Sequence, residues 1–522
     1  MSSTEATRKA WALGAIGLSL LVVGVDATIL NVAVPTISAD LDASTSQLQW
    51  IVDAFTLVLA AVLLPAGLLG DKYGRKKYLV AALILFGGAS LWCAYSGSSG
   101  QLIAARAVLG LAAAFIVPMS TSVLLNLFET EKERTKAIGV IAVSTMLGLP
   151  LGPVVGGALL NHFWWGSVFL INVPLVVIGA LAVAKVVPES RGSEDAGIDF
   201  LGVVISSVGL TALTFGAIEA GEKGWGSAEA LLSLGGGVVA LIVFVLWELR
   251  VAATTGHPLV DLRLFRARGF VWGSILSTVV SFAMFGLIFA LPQYFQAVQG
   301  ADALGTGLRL LPMIGGLLVG ASVINKMRPD MGPRAVPALG FLLVAIGLYM
   351  GTYTKSGTGY GYVALWIVVI GAGLGLAMTR SMAAALNTLA KERSGVGSAV
   401  VQALRQVGGA IGVAVLGSVA NASYRNNLDL KNASQQVEDA VSRSVSTGVA
   451  VAEKMHDTVM LGAVRDAFVD AMHTLLFVCS GIGVVAALLA LAFMPKRVAL
   501  PPEQDPAQDG VGDQAEAPGS LA

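Results

Sequence analysis

Three charged residues stand inside apolar sequence, and each demands a chemical reason. In VDATILNVAVP, Asp26 lies about fifteen residues into the first apolar run, roughly 22 Å along a helix and near the middle of a bilayer. A charge there costs about 2.5 to 3.5 kcal/mol on insertion scales, which makes this carboxylate a functional candidate: a group that takes up a proton or meets a cation. Asp53, in WIVDAFTLVLA of the second run, is expected to form a second proton or cation site on the same cavity; hydration near the membrane surface is the alternative. Arg106, in LIAARAVLGLAAA of the fourth run, is permanently charged and needs a partner or a watery cavity. Beside a protonatable Asp it governs release of the proton, and a purely structural ion pair with Asp26 is the competing reading. Arg405, in RQVGGAIG, raises the same question, whereas Glu219 and Glu222 read as wet loop residues.

Two further motifs concern movement. GLPLGPVVGG places Gly148, Gly152 and Gly156 four apart on one helix face, with Pro150 and Pro153 removing backbone donors and inviting a kink. The glycines alone give close packing; with Pro153 and Pro150 they read as a pivot or a leak-tight seal. The turn GLLGDKYGRKK, with Gly67, Asp71, Gly74 and Arg75, reads as a latch whose charge pairs break and reform, or else as simple basic punctuation between spans.

The elements that hold these residues are membrane helices. Of 522 residues, 55% are hydrophobic and 13% charged, against roughly 25% charged in soluble domains, so a water-soluble surface could not be covered. The 33 Lys+Arg balance 33 Asp+Glu, which leaves no basic excess for nucleic acid. Cys93 and Cys479 lie in apolar runs as packing residues, the four histidines do not cluster, and no phosphate-binding loop or HExxH occurs. ATP hydrolysis, metal chemistry and enzymatic activity are not expected, and no cofactor is implied.

Fourteen apolar spans are expected, beginning near residues 11, 48, 78, 101, 137, 165, 198, 229, 270, 304, 335, 361, 396 and 468. The first follows Arg8 and Lys9 but lacks a small-residue cleavage site and is expected to be retained. Lys72, Arg75, Lys76, Lys77, Lys132, Arg134, Lys136, Arg250, Arg263, Arg266, Arg268, Lys326, Arg328 and Arg334 fall on one side, which places both termini in the cytoplasm. The outer connection 422–467 carries Val437, Val441, Val445 and Val449 as one stripe of an amphipathic helix, a hairpin over the outer mouth or a loop. Asp330, Gly332 and Arg334 faintly repeat the 67–77 turn, so two related halves are expected with spans seven and eight inserted. The tail 496–522 is expected to be a disordered cytoplasmic segment.

Over residues 11 to 495 the chain resembles the major facilitator superfamily, and within it the fourteen-helix drug:proton antiporters. GLLGDKYGRKK is similar to the turn between helices two and three, GLPLGPVVGG to the antiporter signature of helix five, and Arg106 with Gly110 to the helix-four proton-transfer motif, although Leu109 stands where Gln is common. VDATILNVAVP and WIVDAFTLVLA are similar to the first helices of quaternary-ammonium efflux pumps. In LPMIGGLLVG, Leu317 stands where some such pumps carry an acid, so handling of dications is not implied.

The resemblance implies an all-α integral membrane protein of the major facilitator fold: a six-helix bundle over 1–190, two linking helices over 191–269, and a six-helix bundle over 270–495. It also implies a monomer in a bacterial inner membrane that exports amphipathic, often cationic drugs in exchange for protons, with the proton gradient as energy source. Met284, Phe285, Phe289, Tyr294 and Met313 are the expected cavity residues, with helix packing as the alternative for each. A dedicated exporter of one natural product, or a non-transporting sensor or scaffold, is the rival function.

Overall fold

The computed structural model describes residues 3–43, 45–128, 130–192, 199–254, 258–323, 334–389, 394–430, 435–442 and 444–495. It is built of helices: α1 (Ser3–Asp40), α2 (Thr45–Tyr73), α3 (Arg75–Ala94), α4 (Ser99–Leu127), α5 (Glu131–Leu160), α6 (Ser167–Leu170), α7 (Asn172–Val186), α8 (Phe200–Lys223) and α9 (Ala228–Thr254). There follow α10 (Arg268–Gln293), α11 (Ala303–Val323), α12 (Ala335–Gly351), α13 (Tyr360–Leu386), α14 (Ser394–Asn427), α15 (Gln435–Val441), α16 (Val445–Lys454) and α17 (Thr458–Phe493).

Among the described residues twelve helices are long and apolar enough to cross a membrane, or thirteen when the two arms of α5 count as one span. Helix α12, with 17 residues, is apolar but falls short of that length. The chain is a multi-pass membrane protein, and α9 displays why: Leu231, Leu232, Val239, Ile242 and Leu246 are all exposed on it. Such an apolar surface has no place in water, whereas a helix satisfies all its backbone groups internally and suits lipid.

Helix α1 packs on α5 and α7, α2 on α4, and α3 on α4 and α7. A second group joins α10 to α13 and α14, α11 to α13, α12 to α13 and α17, and α14 to α17. The groups meet where α14 lies on α2 and α4, and where α5 lies on α11 and α13. Helix α8 touches both α2 and α14, with α9 stacked on its outer side.

The sixth span runs Ser167–Val186 as expected, with only a local turn at Ile171 where α6 passes into α7. Several expectations change. The connection expected over 422–467 shrinks, because α14 runs to Asn427 and α17 starts at Thr458. Its valine stripe is folded in two: Val437 and Val441 lie on α15, Val445 and Val449 on α16, and Ser444 caps α16 by accepting from Thr447 N. Val441 and Val445 are buried. Glu219 is not a loop residue; it sits buried in α8 and pairs with Lys223 at 2.9 Å. The side chain of Glu222, the residues Asp330 and Gly332, and the tail 496–522 lie outside the described residues, whereas Arg334 donates to Leu491 O of α17 and to Met494 O at its C-cap.

Candidate functional site

Asp26 is fully buried, and every partner it shows lies on α4 or α7. Arg106 Nη1 donates to Asp26 Oδ2 at 2.6 Å, and Asn172 Nδ2 donates to Oδ1 at 2.8 Å. Arg106 Nε donates to Ile51 O of α2 at 3.1 Å, and the guanidinium lies 4.7 Å from the Phe55 ring centroid, a cation–π distance. One buried cation thus ties α1 to α2, the element that carries Asp53. Asn172, at the first position of α7 within the sixth span, carries no motif; a lone amide in an apolar run is the available signal.

Two cavities adjoin along the axis between the helix groups. The middle one, about 140 Å³, is lined by Gly24, Phe55, Thr145, Met284, Gln402 and Arg405, among others. The larger, about 490 Å³, opens toward the end of the bundle where α15 and α16 lie, and is lined by Asp53, Ile218, Phe289, Gln293, Tyr424 and Val445, among others. Ala27, Thr56, Phe285 and Gln406 line both and mark their junction. The volume and mixed apolar and polar lining suit a drug-sized amphiphile.

The expectation that both aspartates face one cavity is corrected. Asp53 lines the larger cavity, but Asp26 points the other way; its neighbours Ala27 and Thr28 reach that space while its carboxylate faces Arg106 and Asn172. A helix turns about 100° per residue, so adjacent residues face different neighbours. Met284 lines the middle cavity, Phe289 the larger one and Phe285 both. Tyr294 and Met313 line neither: Tyr294 is buried in the packing, accepting from Gln299 at 3.1 Å, and Met313 is buried against α13, where Gly371 meets its carbonyl.

The glycines of α5 lie directly on α1. A Cβ on Gly148 would stand 2.5 Å from Gly24 Cα, one on Gly152 2.1 Å from Thr28 Oγ1, and one on Gly156 2.9 Å from Ile29 Cγ1. The arms 133–148 and 150–160 bend by 42°, beside Pro150, whose ring cannot donate to the preceding turn. Pro153 lies in the second arm. Opposite α1, the same helix meets the other group, with Val154 against Gly307 of α11.

At the end of the bundle bearing Lys72, Lys76 and Lys77, Asp71 joins the two helix groups. Its Oδ1 accepts from Arg75 Nε at 2.7 Å and from Gly395 N at 3.1 Å, and its Oδ2 accepts from Val396 N at 3.1 Å. The carboxylate therefore caps the start of α14, where exposed N–H groups and the helix dipole favour an anion. Gly67 permits the approach, since a Cβ there would stand 2.9 Å from Gly395 O. Gly74 has φ of 119°, and its absent side chain leaves room for Glu189, which accepts from Lys76 N and Lys77 N at 3.0 and 3.1 Å. Ser122 and Ser398 hydroxyls meet at 3.3 Å in the same seam. Glu189 and the 394–397 start of α14 carry no recognisable spacing motif; only the structure brings Glu189 to the start of α3 and the 394–397 segment to Asp71.

The paired helix groups, the axial cavity and the buried polar cluster define a transporter-type architecture. The profile of the Major Facilitator Superfamily matches residues 16–413, and the chain belongs to that superfamily. Among its relatives, the multidrug efflux pump LfrA of Mycolicibacterium smegmatis is 32% identical over 498 residues, spanning 94% of this chain and 96% of its own. The tetracenomycin C resistance and export protein of Streptomyces glaucescens is 29% identical, spanning 91% of this chain and 90% of its own. The methyl viologen resistance protein SmvA of Salmonella typhimurium is 31% identical, spanning 87% and 92%. In fold, the chain is similar to the proton:xylose symporter XylE, with a TM-score of 0.61 at 15% identity over 94% of this chain and 97% of XylE.

Proposed function

We propose that the protein is a proton-coupled exporter of amphipathic drugs, cationic ones included, acting as a monomer in a bacterial inner membrane with both termini in the cytoplasm. Relatives named for multidrug efflux and drug resistance support the substrate class. The absence of Lys and Arg from the short loops near 36–47, 97–100, 161–164 and 293–303 supports the orientation. The observation that carries the coupling is the chain of contacts from Asp26 through Arg106 to Ile51 O and the Phe55 ring. A proton on Asp26 removes the charge that holds Arg106. The released guanidinium must find other acceptors, and its hold on α2 changes with it.

Asp53 stands on that same helix in the larger cavity, within reach of a cationic cargo. Proton and drug therefore act on one helix from two sides, rather than competing for a single carboxylate. A ligand that favours one arrangement of α2 shifts the other's affinity by the same factor. With a 100 mV potential worth about 2.3 kcal/mol per net charge moved, exchange of one proton for a drug of no net charge supports a gradient of roughly fifty-fold, whereas one-for-one exchange with a monovalent cation is electroneutral and draws on the pH difference alone. The bent, glycine-faced α5 serves as pivot and seal, and the Asp71 cap on α14 as the cytoplasmic latch.

The deciding measurement is ethidium movement in energised everted vesicles carrying the protein. Uptake that collapses on adding a protonophore is the expected outcome. Uptake indifferent to the protonophore would eliminate proton coupling, and no uptake of any cationic dye would favour the dedicated-exporter reading.

A further inference from the structure

Deepening that reading, and resting on it, the middle cavity contains a cation that nothing in the proposed proton path employs. Arg405 of α14 is 8% exposed and lines this cavity. Its Nε donates to Ser281 Oγ at 3.1 Å and its Nη1 to Gln402 Oε1, both neutral oxygens. No carboxylate lines the middle cavity among the described residues. A guanidinium has five N–H donors in a planar fork that fits a carboxylate two-pronged. In a membrane interior a cation is kept only where it finds an anion, a polar cavity or both. Here hydroxyl and amide groups orient a guanidinium on the cavity wall, and two hydrogen bonds leave part of its five-donor capacity unused.

Gln406, the residue after Arg405, and Thr56, one helical turn after Asp53, both line the junction between the cavities. Asp53 and Arg405 therefore flank that junction from opposite sides, the acid toward the larger cavity and the base in the smaller. Between them lie Phe285 and Ala27, an apolar waist for a ring system. We infer that Arg405 is a substrate-recognition residue for the carboxylate of an amphipathic zwitterion, whose cationic end lies toward Asp53. A purely cationic drug would occupy the larger cavity and leave Arg405 to Ser281 and Gln402.

Rhodamine B, a zwitterion at neutral pH, and its ethyl ester, a cation of nearly the same shape, separate the two cases. Binding of each to the purified full-length protein is followed by fluorescence anisotropy. Arg405→Gln is expected to weaken rhodamine B by about tenfold or more, the loss of one charge-assisted hydrogen bond, while ester binding stays the same and so reports an intact fold. Arg405→Lys is expected to retain a large part of the rhodamine B affinity, because the charge remains. Equal losses for both dyes in Arg405→Gln, or no loss for either, would overturn the inference. Wild-type protein that binds the ester but not rhodamine B would overturn it too, while leaving export of cations standing. Wild-type protein that binds neither dye would overturn this inference together with the drug-binding reading.

Discussion

Asp26 and Arg106 meet at 2.6 Å with their side chains 0% and 1% exposed, and Arg106 passes the contact on to the backbone of Ile51. A buried ion pair of this kind adds little net stability, because removing both charges from water offsets their attraction. Losing one partner is costly, and that asymmetry makes the pair suitable as a switch.

Asp26→Asn keeps the shape and removes the charge. Breaking a buried pair costs about 3 to 5 kcal/mol, so a lowered thermal midpoint is expected, with part of the loss recovered in the double variant with Arg106→Gln. Protonophore-sensitive ethidium efflux is expected to vanish in both variants while protein remains in the membrane. Undiminished efflux from the single variant would remove Asp26 from the coupling path.

For Asp53 the expectation concerns affinity. Asp53→Asn leaves an amide on the cavity wall and is expected to weaken ethidium binding by about tenfold, the scale of one charge-assisted contact. A neutral amphiphile of similar size should bind as before. Equal weakening of both would assign Asp53 to packing.

Asp71→Asn tests the latch. The amide has one oxygen where the carboxylate used two, so either Gly395 N or Val396 N loses its acceptor. Cys93 and Cys479 are buried, so a cysteine placed at Ser398 can be followed with a membrane-impermeant maleimide over a low background. Labelling of Ser398→Cys in everted vesicles is expected to accelerate by about tenfold when Asp71→Asn is added. An unchanged rate would mean that the seam opens without regard to Asp71.

Glycine substitutions separate contact from composition. Gly148→Ala drives a methyl group onto the backbone of α1 and is expected to abolish efflux or accumulation of the protein, since backbone cannot yield as a side chain can. Gly14→Ala has open space around it and is expected to be silent. Thermal stability and efflux of the two variants, compared at equal expression, decide whether the α1–α5 contact is as tight as its distances imply.

Much of the architecture was legible because lipid simplifies the problem. A run of about 20 apolar residues must be a helix there, and Lys and Arg mark its ends. Asp26, Asp53 and Arg106 stood out for the same reason, as charges where charges are expensive. Rotation about each helix axis was not legible. Helix α4, for example, is apolar nearly all round, so no periodicity tells which face meets a neighbour. That is why Asp26 was expected in the cavity, and why Met313 and Tyr294, as good a fit by composition as Phe285, turned out to be packing residues. Neutral participants such as Asn172 and Gln406 were missed because an uncharged amide raises no alarm in a hydropathy reading, and the Asp71 acceptors are backbone atoms that side-chain motifs do not describe.

Helix α8 has one more implication. It rests on α2 and on α14 together, with Trp50 stacked on Phe215 at 6.5 Å and Trp225, just past its end, donating to Ser418 at 3.0 Å, and its Ala217, Ile218 and Gly221 form part of the chamber wall. Helix α8 thus covers the slot between α2 and α14 and closes that side of the chamber. If the two bundles tilt apart as the proposed exchange requires, α8 must travel with one of them and slide over the other, so that one of its two seams stays closed while the other is remade.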